Sequence, residues 1–258
     1  MAAPRGGGGV LVVVPARLAA TRLPRKPLLE AGGRPLVQHV VERARAVRSA
    51  TALLVATDSD EIAAAARAAG ADAVLTSPDC ASGTDRVAEA ARERGEELVV
   101  NLQGDEPEFE PDDVDALVAA MLADPSLPMG TIAVPAAPGE AERPSVVKVV
   151  RDAAGRALYF SRAAIPHVRD PQDPEPAARA PVLRHVGIYA FRRDALARFA
   201  ALPPTPLERT EKLEQLRALE NGWRIAVVLG RRAPPGIDTP EDLEAFRRRV
   251  AAREAAAG

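Results

Sequence analysis

Short runs of valine, leucine and alanine alternate, over the first half of the chain, with longer stretches whose apolar positions recur every three or four residues. GVLVVVPA (9–16), ALLVATD (52–58) and LVVNLQGD (98–105) show almost no polar alternation, which predicts strands buried on both faces of a parallel sheet. Between and after them, PLVQHVVERARAV, DEIAAAARAAG, TDRVAEAARERG and PDDVDALVAAMLAD have helical periodicity, and glycine closes the second and third. The βαβαβα order with short links predicts a doubly wound, Rossmann-like, mostly parallel sheet flanked by helices.

Beyond Thr131 the rhythm changes. TIAVPA, VVKVVRD and RALYFSR succeed one another without helices, which predicts a smaller mixed-strand extension. Residues 166–181 hold five prolines and no periodicity, a surface loop and a candidate lid. HVGIYAF, two helical patterns, the strand WRIAVVL and a helix from Pro240 complete the chain. On a helical projection of LERTEKLEQLRALENG, Leu213, Leu216 and Leu219 share one arc, and Glu211, Glu214 and Gln215 lie opposite, facing water, a polar pocket or a subunit boundary. The whole reads as one domain. Its first part spans about 10–135, a second, mixed-strand part about 136–222, and a C-terminal strand and helix (223–252) return to the main sheet.

At 258 residues the chain can bury a sizeable core. A net charge of −2, with acids and bases interleaved, argues against a nucleic-acid or membrane surface and leaves anion binding to local clusters. The single cysteine, Cys80, forbids an internal disulfide and suits a reducing cytoplasm; the five-residue apolar run at 10–14 is too short for a signal peptide or a membrane span.

Loops at the carboxyl ends of parallel strands are where such sheets bind ligands. The glycines Gly6–Gly9 precede the first strand, so they do not form a dinucleotide fingerprint and a nicotinamide oxidoreductase is disfavoured. The first strand instead runs out into PARLAATRLPRKP. Here Arg17 and Lys26 can converge on a phosphate chain cradled by backbone amides of the loop, or remain solvated cations, while Pro15 and Ala16 at the strand end are candidate nucleotide contacts and Arg22 reads as loop structure. In QGDEP, Asp105 is either a turn residue beside Gly104 or a ligand for Mg²⁺, with Glu106 supporting it. In GIDTPEDLE, Thr239, Pro240 and Asp242 obey helix-start grammar, which leaves Asp238 unexplained and a candidate second metal ligand. Ser82, Gly83 and Thr84 can read a base edge or cap a helix. His185 and Tyr189 are packing residues or substrate contacts, and Arg162 needs a partner if its strand is buried, which a substrate carboxylate would supply.

Taken in order from about Val12 to Phe246, PARLAATRLPRKPL, VATD, SGTDRVAE, VVNLQGDEP, VVKVV, ALYFSRAAIP, RHVGIYAF, PLERTEKLEQLRALENG and GIDTPEDLE resemble the bacterial 3-deoxy-manno-octulosonate (Kdo) cytidylyltransferases. The resemblance implies a nucleotide-diphospho-sugar transferase fold, a homodimer, and transfer of CMP from CTP to the anomeric hydroxyl of Kdo for lipopolysaccharide synthesis. It implies that Arg17 and Lys26 bind the CTP phosphates, that Ser82, Gly83 and Thr84 lie near cytosine or ribose, and that Asp105 and Asp238 hold Mg²⁺. Gln103, Arg162, His185, Tyr189, Glu214 and Gln215 would surround the sugar acid. The chain departs from the family pattern at Cys80, Ala81 and Arg143. Two alternatives stand beside this: a cytidylyltransferase for 8-amino-Kdo or sialic acid, and a non-catalytic nucleotide-binding protein on the same fold.

Overall fold

The computed structural model describes residues 8–19, 23–170, 180–233 and 235–257. Arg22, two of the four leading glycines and residues 171–179 of the proline-rich stretch lie outside them. The first strand, β1 (Val10–Ala16), is buried along almost its whole length, as its unbroken apolar run requires. A small antiparallel hairpin comes next, β2 (Glu30–Ala31) with β3 (Arg34–Pro35), leading into α1 (Leu36–Ala44). Then come β4 (Ala52–Thr57), α2 (Asp60–Ala68), β5 (Asp72–Leu75), α3 (Gly83–Ala91), β6 (Leu98–Asn101) and α4 (Pro111–Ala123). The second half carries β7 (Met129–Pro135), β8 (Lys148–Arg151), β9 (Ala157–Ser161), β10 (Leu183–Arg192), α5 (Arg193–Ala201), α6 (Pro206–Glu211), α7 (Gln215–Glu220), β11 (Ile225–Leu229) and α8 (Pro240–Ala257).

Among the described residues the main sheet runs β11-β7-β10-β6-β1-β4-β5, with β8 and β9 attached beside β10. Pairing is parallel from β6 through β1 and β4 to β5 and between β11 and β7; β10 is antiparallel to both of its neighbours. The fold is therefore the mostly parallel, helix-flanked α/β sheet expected, with β8 and β9 as the mixed extension. β10, from the stretch assigned to the second lobe, is inserted at the centre of the sheet, so residues near 185–189 stand beside the end of β6. Apolar side chains fill both faces of the sheet, and a third cluster of Leu23, Leu36, Ile237, Leu243, Phe246 and Val250 pins α8 against the loop after β1. No helix among the described residues is long and apolar enough to cross a membrane.

One predicted helix is broken. The periodicity of 207–222 implies a continuous helix, but Lys212 takes a left-handed conformation (φ 55°) and splits it into α6 and α7. Polar demands on the two sides pull the chain apart. Glu211 accepts from Ser161 Oγ (2.6 Å) and Arg162 N (2.9 Å), whereas Glu214 reaches Ser82 and Thr84. The polar arc is thus not one face toward water, and Gln215 is buried.

Candidate active site

β1 ends at Ala16 and the chain returns over the strand ends. Arg25 adopts a left-handed conformation (φ 57°), its N–H donates to Leu18 O, and its guanidinium bonds Glu61. This turn aims Lys26 back toward the sheet, where its Nζ donates to Asp105 Oδ2 (2.8 Å) and Asp238 Oδ1 (3.2 Å). Asp105 lies just past β6. Asp238 stands just before α8, with its N–H and that of Thr239 both donating to Asp242 Oδ2 while Thr239 Oγ1 accepts from Asp242 N. This reciprocal cap is the helix start read from GIDTPEDLE, and it leaves the Asp238 carboxylate outside the cap. Ile237 is fully buried and its N–H donates to Asp105 O, which ties the two acidic loops together.

Around these groups lies a cleft of about 360 Å³ lined by Pro15, Ala16, Arg17, Lys26, Ser82, Gly83, Gln103, Asp105 and Asp238, together with Leu23, Pro27, Cys80, Arg86 and Gly104. The first nine were all expected at the site. Thr84 is not on the wall: it is buried beneath, its hydroxyl donating to Glu214 Oε2 and accepting from Asn101 Nδ2. Ser82 is the N-cap of α3, accepting from Asp85 N, and its hydroxyl also lies 3.1 Å from Glu214 Oε1. Both hydroxyls are thus engaged with Glu214. Burial raises the Glu214 carboxyl above its ordinary pKa, against the pull of Arg217 and these two hydroxyls.

Gly104 permits the cleft floor. A Cβ there would lie 2.7 Å from Pro15 O, a backbone contact that no rotamer change relieves. Gly104→Ala should therefore destabilise the fold by about 1–3 kcal/mol in urea titration and raise KM for the nucleotide, as the β1 and β6 ends are pushed apart.

Behind Gln103 the sugar-side candidates form a contiguous group. Gln103 Nε2 donates to Gly187 O (3.0 Å), and Tyr189 Oη donates to Gln215 Oε1 (3.1 Å). His185 and Tyr189 rings sit 5.4 Å apart, and the edge of Phe160 closes the other side of the imidazole at 5.0 Å. Two residues four apart in a regular strand stand roughly 13 Å from each other. Here β10 carries two extra residues between Val186 and Tyr189, so that His185 opposes Ala133 and Tyr189 opposes Thr131. The bulge halves the spacing.

Burial pushes the His185 pKa down to about 3, so the imidazole is neutral at physiological pH. An unfolded histidine protonates near 6.5, so between pH 6.5 and about 3 the unfolded chain binds more protons and stability falls as pH drops. Compared with the wild type, His185→Gln should flatten the dependence of unfolding free energy on pH in that window, by up to about 1.4 kcal/mol per pH unit.

Arg162 has partners within the fold. Its Nε donates to Glu211 O (2.8 Å), Nη1 to Pro144 O (3.0 Å), and Nη2 lies 3.5 Å from Lys212 O. Backbone carbonyls supply the partners expected from a substrate carboxylate, and the guanidinium braces the turn between α6 and α7.

Other residues at the site do not stand out in the sequence. Arg86 is buried, donating to Thr76 Oγ1 and to Asp58 Oδ2 (3.1 Å), while Asp58 Oδ1 accepts from Leu18 N; the pair anchors the start of the basic loop. Lys148 is fully buried and donates to the carbonyls of Arg143 (3.0 Å), Val146 (2.6 Å) and Arg162 (2.6 Å). A lysine flanked by valines in VVKVV is the signal for it, because a charge inside an apolar run must find hydrogen-bond partners nearby. Glu106 has a buried, unpartnered Oε2; burial first, and then the neighbouring Asp105 carboxylate, push its pKa up to about 8. It is therefore mostly uncharged at neutral pH and adds little to the charge of the Asp105–Asp238 pair.

Two carboxylates from separate loops converge on one cation, and the described residues hold no cluster of three or more acidic, histidine or cysteine side chains suited to a metal ion. A carboxylate pair of this kind fits Mg²⁺, which commonly takes one or two carboxylates and completes its shell with water and phosphate oxygens.

Residues 11–225 match the family described as Cytidylyltransferase, which places the fold and its cleft in that class of transferase. The chain is 54% identical over 245 residues to a 3-deoxy-manno-octulosonate cytidylyltransferase of Anaeromyxobacter dehalogenans (94% of this chain, 98% of the relative) and 49% identical over 242 residues to one of Polynucleobacter asymbioticus (92% and 94%). A solved CMP:2-keto-3-deoxy-manno-octonic acid synthetase complexed with CTP superposes with a TM-score of 0.88 at 42% identity, covering 95% of this chain and all of that one. The chain belongs to the 3-deoxy-manno-octulosonate cytidylyltransferase family.

Proposed function

We infer that this chain transfers CMP from CTP to the anomeric hydroxyl of Kdo, giving CMP-Kdo and pyrophosphate. The observation that carries the reading is the convergence of Lys26, Asp105 and Asp238 in a cleft at the strand ends, in a chain that closely resembles enzymes named for that reaction. The hydroxyl oxygen of the sugar gives up its proton to solvent and attacks the α-phosphorus, the bond from that phosphorus to the α–β bridging oxygen breaks, and pyrophosphate departs with that oxygen. Positioning and charge neutralisation carry most of the rate in such displacements.

Arg17 and Lys26 neutralise the triphosphate and its departing half. The strand-end backbone at Pro15 and Ala16 and the start of α3 at Ser82 and Gly83 seat the nucleoside, with Thr84 supporting that turn from beneath. Asp105 and Asp238 would hold Mg²⁺, which when bound would supply further neutralisation of phosphate charge and Lewis acidity for the displacement. Gln103, His185, Tyr189, Glu214 and Gln215 enclose the sugar acid, and Arg162 shapes that enclosure through its turn. Binding alone requires no pair of carboxylates facing a phosphate-binding lysine, which disfavours a non-catalytic role.

The enzyme acts as a homodimer in the cytoplasm. Leu158, 61% exposed on β9, and the exposed Leu207 on α6 present apolar surface suited to a second copy, and sedimentation at micromolar protein tests this. A panel of Kdo, 8-amino-Kdo and sialic acid with pyrophosphate release from CTP as readout tests the activity. Release that depends on Kdo, with much weaker response to the others, is the expected result, and CTP turnover indifferent to the sugar would overturn it.

A further inference from the structure

The bulge that brings His185 beside Tyr189 is filled by one hydroxyl. Thr131 is fully buried on β7, and its Oγ1 lies 2.7 Å from Ile188 O, 3.2 Å from Val186 O and 2.9 Å from His185 Nε2. A two-residue bulge takes carbonyls out of the ladder, and each must find a donor elsewhere. The Thr131 hydroxyl reaches those of Val186 and Ile188 and can donate its one proton to either, and Gln103 Nε2 donates to that of Gly187.

A threonine hydroxyl has one proton and two lone pairs. A carbonyl can only accept, so the Thr131 proton points at a carbonyl, the shorter contact being to Ile188. The imidazole nitrogen 2.9 Å away must then be the donor. If Nε2 were unprotonated, the hydroxyl proton would turn to it and leave two carbonyl oxygens facing a third oxygen with no hydrogen between them. A neutral ring has only one N–H, so Nδ1 keeps a bare lone pair, and among the described residues no donor engages it.

From this geometry we propose that Thr131 is a positioning residue for the sugar side of the site: it locks the β10 bulge and holds His185 as the Nε2–H tautomer, so that His185 recognises its ligand by accepting a hydrogen bond at Nδ1. The group so recognised is a hydroxyl of a polyhydroxylated substrate and not its carboxylate, because a bare ring nitrogen repels an anion and attracts an O–H. This rests on the reading of the His185–Tyr189 group as the sugar-acid enclosure, and it adds to that reading which kind of substrate group His185 holds and which residue prepares it.

The tautomer can be read directly in the free protein by long-range ¹H–¹⁵N correlation of the histidine side chains. The chain has three histidines, and His185→Gln assigns the signals of interest. The wild type and Thr131→Ser should both show Nε2 as the protonated, pyrrole-type nitrogen, and Thr131→Val should show exchange between tautomers or the Nδ1–H form. In turnover, Thr131→Val should raise KM for Kdo about tenfold with KM for CTP within about twofold, and Thr131→Ser should restore most of the loss, a tenfold change corresponding to loss of about one hydrogen bond. A wild-type spectrum with protonated Nδ1 overturns the proposal, and so does a Thr131→Val protein whose tautomer and Kdo KM match the wild type while only its melting temperature falls. If Thr131→Val does not fold, the wild-type and Thr131→Ser spectra still decide. Should the substrate panel reject Kdo, the spectra report on Thr131 and His185 independently, so the two failures are distinguishable.

Discussion

Asp238→Asn should lower turnover of CTP and Kdo by about 10²–10³-fold at saturating Mg²⁺, with little change in thermal stability. The substitution keeps the shape of the side chain and removes only its charge. The backbone of that loop is held independently, by Asp242 on the N–H groups of Asp238 and Thr239 and by the buried Ile237, so the loop should stay where it is. The variant loses half of a carboxylate pair whose other member, Asp105, comes from a loop at the end of a different strand. Turnover near the wild-type rate at saturating Mg²⁺ would remove Asp238 from the ligand set. A large drop in melting temperature would instead mark it as a structural residue.

Lys26→Met should have an effect of similar size on kcat/KM for CTP, about 10²–10³-fold, accompanied by an opposite effect on metal binding. In the structure the ammonium sits between Asp105 and Asp238 at 2.8 and 3.2 Å, so it occupies the position from which a divalent cation would also see both carboxylates. Unit charges about 4 Å apart near a protein surface interact by roughly 4 kcal/mol, enough for this lysine to compete with Mg²⁺ when no nucleotide is present. On the proposed reading, the triphosphate would give the ammonium a better anion to approach and would free the carboxylates to hold Mg²⁺. Calorimetric titration of the nucleotide-free protein should therefore show Lys26→Met binding Mg²⁺ roughly tenfold more tightly than the wild type, even as it loses activity. Weaker Mg²⁺ binding in that variant would mean that the lysine supports the metal site and does not compete for it.

Much of this site is legible in the chain because its parts are local. A strand that ends in PAR, a strand that ends in QGD and a helix start that leaves one aspartate outside its cap can each be read within a dozen residues, and the fold class says that strand ends share one edge. The sequence misleads where a side chain's partner is distant along the chain. Periodicity in 207–222 implies one helix with a polar face, but Glu211 answers to Ser161 and Arg162 while Glu214 answers to Ser82 and Thr84, and no local pattern encodes those partners. Arg162 reads as lacking a partner because backbone carbonyls do not register in a pattern of side-chain types.

The sequence by itself determined the alternation of buried strands and amphipathic helices, and with it the parallel sheet, the edge that carries chemistry and the residue types on that edge. These arise from hydrophobic period and capping, which act over one or two turns of chain. Only the tertiary structure decided that β10 enters the middle of the sheet, that its bulge sets His185 against Tyr189, and that Lys26 lies between two aspartates from separate loops. Those outcomes depend on which strand edges meet and which buried polar groups satisfy one another across the fold, and such pairings are settled by packing the whole chain at once.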